Sequence, residues 1–395
     1  MGSGSRRDGV ERLPPGNPEM SAAVRPLTIV FCCNTVFGVV NFRAGVIRTL
    51  VDLGHRIIVV APTDASVQGL RLLGAEFVEW SIHPSANRPF AEIKAVLALY
   101  RIYRDVRPDV AFHFTIKPVI YGAFAARRSG IPFFSVITGL GYVFLNASWT
   151  SRLSRALYRV TLRNSREVWF LNTDDRAIFT TYGLLGGAKV RMLPGEGVDT
   201  VRFTKRFGVA QSASPFTFLM IARLLRDKGV HEYVEAARLV REIKPSVRFL
   251  LVGPADSANP SAIATDQVHG WMREGLIEYL GSVDDVRSLI DISTCVVLPS
   301  YREGAPRCLL EAASMERPIV ATDVPGCRDV LVDNSTGLLC KPRNAKDLAD
   351  TLLRIADMDL KSLEAMGGRG RAFVLRTFDE GLVVAEYLDV LDQFK

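Results

Sequence analysis

Short apolar runs alternate with helical patterns along this 395-residue chain, and the alternation starts twice. Residues 26–33 (PLTIVFCC) form the first run, a strand fit for burial on both faces. A loop is expected over 34–40 and a helix over 42–53, ended by Gly54-His55. The next strand then follows at 56–61 (RIIVVA). Strand, helix and strand within about 35 residues make a βαβ unit, and a fully apolar strand belongs in a sheet covered by helices on both sides. Further short strands are expected at 110–114, 133–137, 168–171 and 190–193. At 216–221 (FTFLMI) the pattern begins again, so the chain reads as two α/β domains of ordinary size. The expected division is a disordered tail over 1–23, a first domain over 24–205, a second over 206–377 and a C-terminal helical segment over 378–395. The tail is polar, rich in Gly, Ser and Pro, and lacks the apolar core of a secretory signal. A linker is expected over 211–215.

Charge is unevenly shared between the halves. Residues 24–205 carry 23 Lys+Arg against 12 Asp+Glu, whereas residues 206–395 carry 23 against 27. A basic first half calls for an anionic partner: nucleic acid, an anionic membrane surface or a phosphorylated acceptor. No nucleic-acid motif or aromatic interleaving supports the first. Arg152, Arg155, Arg159, Arg163 and Arg166 recur at steps of three and four, one face of a helix, with Leu153, Leu157 and Val160 on another stripe. Such a helix suits a membrane surface; a solvated face of a packed helix gives the same stripe. No run of eighteen apolar residues suggests a spanning helix. The six cysteines form no C-x-x-C pair, which fits free thiols in a reducing compartment. The absence of G-x-G-x-x-G and of a Walker loop weakens dinucleotide and NTP readings.

Residues 298–329 carry the most chemistry. A strand ends at Pro299, a polar loop holds Arg302, Glu303 and Gly304, and Pro306 opens a helix that Pro318 terminates. Glu303 and Glu311 stand with seven residues between them, one in the loop and one on the helix. The free N–H groups of a helix start favour a diphosphate, and carboxylates on either side accept hydrogen bonds from hydroxyls. The combination suggests a nucleotide sugar. Taken singly, the two glutamates read better as a turn residue and a solvated helical face; the ordered strand, loop, Gly304, Pro306 and helix favour the site. In the first half, Gly38 lies in the loop after the first strand, where backbone can approach a diphosphate or simply turn. Lys117 follows the strand at 110–114 as a flexible cation at a strand end. His113, inside that strand, reads as packed, and Asp174 and Asp175 read as helix caps.

Glu303, Gly304, Pro306, Leu310, Glu311 and Ala312 fit a Glu-Gly-x-Pro … Leu-Glu-Ala pattern, so this stretch resembles the donor-site signature of retaining glycosyltransferases of family four, which have the GT-B fold. The segment from Thr322 to Arg328 resembles the subgroup that extends bacterial polysaccharide and glycan precursors on a polyprenyl diphosphate, with Asp329 in place of the usual Glu. Arg223-Leu224 and Lys228-Gly229 resemble the family's Arg-Leu-x-x-x-Lys-Gly element, 195–199 its domain junction, and Asn41-Phe42-Arg43 the same subgroup. Thr138 and Gly139 stand where many members carry a histidine.

The resemblance implies two Rossmann-like domains facing a central cleft, with the last helix crossing back to the first. The second domain would hold a nucleotide sugar, UDP-linked by preference, and the first an acceptor. Arg223 and Lys228 would hold the diphosphate, Glu303 the hexose and Glu311 the ribose. Gly304, Ala305, Pro306 and Val283 would complete the donor side, and Lys117, Thr138 and Gly139 the acceptor side. No metal or other cofactor is expected. The implied reaction moves a hexose or N-acetylhexosamine, with retained configuration, to a polyprenyl-diphosphate-linked glycan. The implied location is cytoplasmic, at the inner face of a membrane, with Arg152, Arg155, Arg159 and Arg163 as contacts. Two rivals stand beside it: a GT-B nucleotide-sugar epimerase that needs no acceptor, and a non-catalytic membrane-docking protein of the same fold.

Overall fold

Each of the two runs of alternating elements closes into its own parallel sheet. The computed structural model of the chain describes residues 25–82, 89–140, 149–206, 215–255, 259 and 261–394. The expected tail lies outside them, as does the expected linker except for Pro215. The first sheet contains β1 Thr28–Cys32, β2 Arg56–Ala61, β3 Glu76–Glu79, β4 Val110–Phe114, β5 Phe133–Ile137, β6 Glu167–Phe170 and β7 Lys189–Met192. Their order is β3-β2-β1-β4-β5-β6-β7, with Val30 opposite both Ile58 and Ala111. The second contains β8 Thr217–Ile221, β9 Arg248–Val252, β10 Glu278–Tyr279, β11 Cys295–Leu298, β12 Ile319–Thr322 and β13 Gly337–Cys340, in the order β10-β9-β8-β11-β12-β13. In both, the strand order reverses beside the first strand of the domain. That reversal opens a crevice at the carboxyl ends of the strands, where ligands of such sheets bind.

Helices cover both faces of the first sheet. Pro89–Val106, Ile116–Ser129 and Trp149–Leu162 pack side by side on one face. Val36–Phe42, Ala44–Asp52 and the C-terminal helix Glu380–Leu391 cover the other, sharing one core with β1, β2 and β4. The C-terminal helix starts where Asp379 Oδ1 accepts from the Gly381 amide at 2.8 Å. Its Tyr387 ring lies 4.9 Å from both the Phe112 and Trp169 rings. The last helix of the chain is thus part of the first domain's core. Two crossings join the domains, and they run side by side: the Val198 amide donates to Phe378 O at 2.9 Å, and the Glu380 amide to Val198 O at 3.0 Å.

Two local expectations are corrected. The expected loop at 34–40 contains the helix Val36–Phe42, because Thr35 Oγ1 caps it by accepting from the Gly38 amide at 3.0 Å and Val36 and Val39 turn into the core. Gly38 therefore sits in a first helical turn with its N–H already engaged, instead of in an open phosphate loop. The following helix is Ala44–Asp52, broken from the first at Arg43. Lys117, expected in a loop, lies in the first turn of Ile116–Ser129, which begins directly after Thr115, a residue at φ 67°.

Candidate functional site

The loops after β8 and β11 meet at the carboxyl edge of the second sheet, and glycines make the meeting possible. A Cβ on Gly253 would sit 1.9 Å from Ala222 O. One on Gly229 would sit 2.1 Å from Pro299 O, at φ +75°. Only glycine therefore lets the turn carrying Lys228 lie against the end of β11. The Tyr301 amide and Ser300 Oγ both donate to Asp227 O, at 2.9 and 3.1 Å, and fasten the two loops together. On the other side, the Glu303 amide donates to Pro325 O at 3.1 Å, and Gly326 (φ +82°) leaves room for Glu303 O. The Val-Pro-Gly of the later motif is thus the floor under Glu303.

These supports bring Lys228 Nζ to 2.5 Å from Glu303 Oε1, with the side chains 22% and 11% exposed. Arg223 is exposed one residue beyond Ala222 at the end of β8. Pro306 stands just outside the helix Arg307–Ser314 as its N-cap residue, so the helix's first free amides follow it directly. Glu311 lies on that helix, 2.9 Å from Arg307 Nε. Burial raises the Glu311 carboxyl above its ordinary range, and Arg307 opposes that rise. Beside the two acids, the Cys308 thiol is pushed up to about 12, chiefly by burial. Val283 packs on the second core next to Gly281, whose carbonyl accepts from the Gly253 amide at 2.8 Å.

The first domain meets this edge. A Cβ on Gly304 would lie 2.5 Å from Thr138 O, and one on Gly139 would lie 4.0 Å from Gly304 Cα. Gly304, Thr138 and Gly139 are therefore one contact across the two domains, and Ala305 abuts Gly195. Asn172 Nδ2 donates to Gly304 O at 2.9 Å, Arg302 pairs with Asp175, and Arg307 donates to Asn41 O. Below Asn41, Arg43 donates to Glu196 at 2.5 Å and lies 3.9 Å above the Phe114 ring. Burial raises the Glu196 carboxyl, with Arg43 and then Arg307 opposing.

Other expected residues lie further off or are otherwise engaged. Lys117 Nζ is 2.7 Å from Glu92 Oε1, and Tyr121 donates to the same carboxylate. Lys117 thus belongs to a cluster between two helices of the first domain. In the arginine stripe, Arg159 donates to Tyr182 O at 2.7 Å and Gly183 O at 3.1 Å, and Arg155 lies 4.5 Å above the Tyr182 ring. Those two fasten the neighbouring helix end, while Arg152 and Arg163 are exposed. His113 is packed, 2.9 Å from Tyr103 Oη, and burial lowers its pKa to about 3. Sequence reasoning missed Arg302, Arg307, Asn172 and Asp175 as interdomain residues. Asn172 does cap its helix, accepting from the Asp175 amide at 2.8 Å, but it also reaches Gly304. Among the described residues, no group of three or more His, Cys, Asp or Glu side chains is placed to hold a metal, and no helix is long and apolar enough to cross a membrane.

Comparison with known proteins agrees with this geometry. Residues 215–358 match the family described as glycosyl transferases group 1, and residues 37–196 the glycosyl transferase 4-like domain. The chain is 27% identical, over 93% of its length and 99% of the relative's, to the N,N'-diacetylbacillosaminyl-diphospho-undecaprenol alpha-1,3-N-acetylgalactosaminyltransferase of Campylobacter jejuni. It is 23% identical, over 67% of its length and 71% of the relative's, to the Escherichia coli UDP-Gal:alpha-D-GlcNAc-diphosphoundecaprenol alpha-1,3-galactosyltransferase. Among solved structures, Anabaena HepE in complex with UDP and glucose aligns at TM-score 0.75 and 18% identity, covering 93% of this chain and 99% of that one. The Thermosynechococcus elongatus sucrose-phosphate synthase aligns at TM-score 0.78 and 18% identity, with 93% and 99% covered.

Proposed function

The chain belongs to the retaining glycosyltransferases of family four, with the GT-B fold, and from that premise we propose how its residues divide the work. The substrates are a UDP-linked hexose or N-acetylhexosamine and a polyprenyl-diphosphate-linked glycan, the acceptor class named for the Campylobacter and Escherichia relatives. One observation carries the assignment of the donor site: Lys228 and Glu303 meet at 2.5 Å at the edge facing Thr138 and Gly139. A phosphate held by Lys228 therefore places the attached sugar within reach of Glu303, directly opposite the acceptor domain.

Arg223 adds a planar fork for the diphosphate and Lys228 a point charge. The start of the helix Arg307–Ser314 adds backbone N–H groups and the positive end of its dipole. As the bond between the anomeric carbon and the diphosphate oxygen breaks, the electron pair leaves with UDP. These fixed charges offset it where it develops. The acceptor hydroxyl oxygen bonds to the anomeric carbon on the face the diphosphate left, and its proton departs to the phosphate side. Glu303 orients the sugar and Glu311 accepts from ribose hydroxyls. Val283 borders the base, and Gly304, Ala305 and Pro306 line the donor side. Thr138 and Gly139 line the acceptor side, with Lys117 deeper in the first domain. No metal or other cofactor takes part.

The acceptor's lipid would bring the first domain to the cytoplasmic face of a membrane, with no role for nucleic acid. Two observations support this and enlarge the arginine stripe into a surface. The three helices on one face of the first sheet hold nine Lys and Arg against two acids, and one of those acids, Glu92, is paired with Lys117. On the first helix, Phe90, Ile93 and Leu97 are 86%, 59% and 50% exposed, one stripe at helical spacing. An apolar stripe beside clustered cations suits an anionic lipid surface, joined by Arg152 and Arg163 and less by Arg155 and Arg159.

The decisive experiment incubates the protein with UDP-sugars and an undecaprenyl-diphosphate-linked glycan and reads the product's anomeric configuration by NMR. Retained configuration in an acceptor-dependent product supports the proposal. Release of free sugar or UDP at full rate without acceptor would make it an epimerase. Vesicle binding with no UDP binding would make it a docking protein.

A further inference from the structure

Three consecutive residues of the donor loop, Arg302, Glu303 and Gly304, are held from the first domain on both sides of Glu303. Arg302 Nη2 donates to Asp175 Oδ1, and Asn172 Nδ2 donates to Gly304 O at 2.9 Å. Asn172 and Asp175 are themselves joined, since Asn172 Oδ1 accepts from the Asp175 amide at 2.8 Å. One helix start in the first domain therefore grips both flanks of the proposed sugar-binding acid. The grip is single-pronged. Asp175 is fully buried, yet its Oδ2, like the buried Arg302 Nε, has no hydrogen-bond partner among the described residues. A guanidinium facing a carboxylate commonly closes two parallel bonds. With one prong unused, the desolvation of both charges is only partly offset. A bond of this kind fixes a position but parts readily when the domains separate.

We propose that Arg302 and Asp175 form a reversible latch between the domains that sets Glu303 against the acceptor side when the cleft is closed. Both are positioning residues, and the proposal rests on the assignment of Glu303 to the donor sugar. The diphosphate grip of Arg223 and Lys228 lies wholly in the second domain, so opening the latch leaves nucleotide binding intact. It releases only the alignment of the sugar with the acceptor hydroxyl. Asn172 acts with the latch by holding the Gly304 carbonyl.

The test uses the full chain with Arg302→Gln, Asp175→Asn and the double variant. It measures kcat with the lipid-linked acceptor and the Kd of UDP by calorimetry. Each single change is expected to lower kcat by about ten- to a hundredfold, the effect of a misplacement near an ångström. UDP affinity should stay within about threefold, and the double variant should be no slower than the worse single one, because the two residues act as a unit. Arg302→Lys, which keeps the charge, should recover part of the loss. Wild-type kcat in the single variants, losses that multiply in the double, or UDP binding that weakens in step with kcat would each overturn the latch. Should Asp175→Asn fail to fold, judged by its melting temperature, Arg302→Gln against Arg302→Lys decides by the same measures. A wild-type protein that transfers no sugar at all would instead sink the donor-site assignment.

Discussion

Gly304→Ala adds a single methyl group at one of the places where the loop bearing Glu303 touches the first domain. Built on the native backbone, that methyl carbon lies 2.5 Å from Thr138 O and 3.2 Å from Thr138 C, whereas ordinary contact begins near 3.4 Å. The two domains must therefore part locally by about 0.9 Å, the difference between those two distances. A shift of that size between reacting groups is enough for a loss of about a hundredfold in kcat. The effect on stability should be small, about 1–3 kcal/mol at most, because the contact joins two separately built cores and either side can yield. UDP binding should hardly change, since the diphosphate grip is on one side of the contact. The assay pairs kcat on the lipid-linked acceptor with calorimetric UDP binding and a thermal melt. Gly368→Ala, whose methyl would meet nothing within 4 Å in a helix, serves as the control and should be neutral to slightly stabilising. Wild-type kcat in Gly304→Ala would refute the reasoning, and so would a collapse of UDP affinity to match.

Four further outcomes are expected. Arg223→Ala should lower kcat by about two orders of magnitude or more with the melt unchanged, because the side chain is exposed; near-normal turnover would reject its role. Ile93→Asp with Leu97→Asp should abolish sedimentation with anionic vesicles while sparing turnover on a short-chain, water-soluble acceptor; undiminished sedimentation would move the lipid contact elsewhere. Tyr387→Ala should destabilise the first domain by about 3–5 kcal/mol in urea unfolding, since the ring packs between Phe31, Phe112 and Trp169. Burial raises the folded-state pKa of Glu311 above its ordinary 4.5, so its contribution to stability is present below that value and lost as pH climbs through the raised one. Glu311→Gln should therefore gain stability relative to wild type as pH rises through that window; a pH-independent difference in melts would contradict the burial argument.

Much of the architecture was legible because unbroken apolar runs such as IIVVA at 57–61 admit little besides a covered parallel sheet. The residues proposed for the donor side could be singled out because Glu303, Gly304, Pro306 and Glu311 follow one another in a fixed local pattern. What stayed hidden was physical contact at a distance. Gly304 could be singled out from its motif, but the reason for it, the Thr138 carbonyl, belongs to the other domain. Asp175 read as a cap because its neighbour Asn172 is one, and nothing local shows Arg302, 127 residues away, arriving at its carboxylate. Lys117 looked free because its partner Glu92 lies on a helix 25 residues upstream. The helix Val36–Phe42 was lost for a local reason: Gly38 suggested a turn, while the cap supplied by Thr35 went unread.

The chain leaves its first domain near Val198, builds the whole second domain, and comes home only with the helix Glu380–Leu391. On the ribosome, the half translated first must therefore wait, its Phe31 and Phe112 short of the Tyr387 ring, until the codons for Glu380–Leu391 have been read. A stop codon just before Glu380 would injure the first domain more than the second, and a gene cut at the domain border would yield an amino-terminal fragment short of its own keystone.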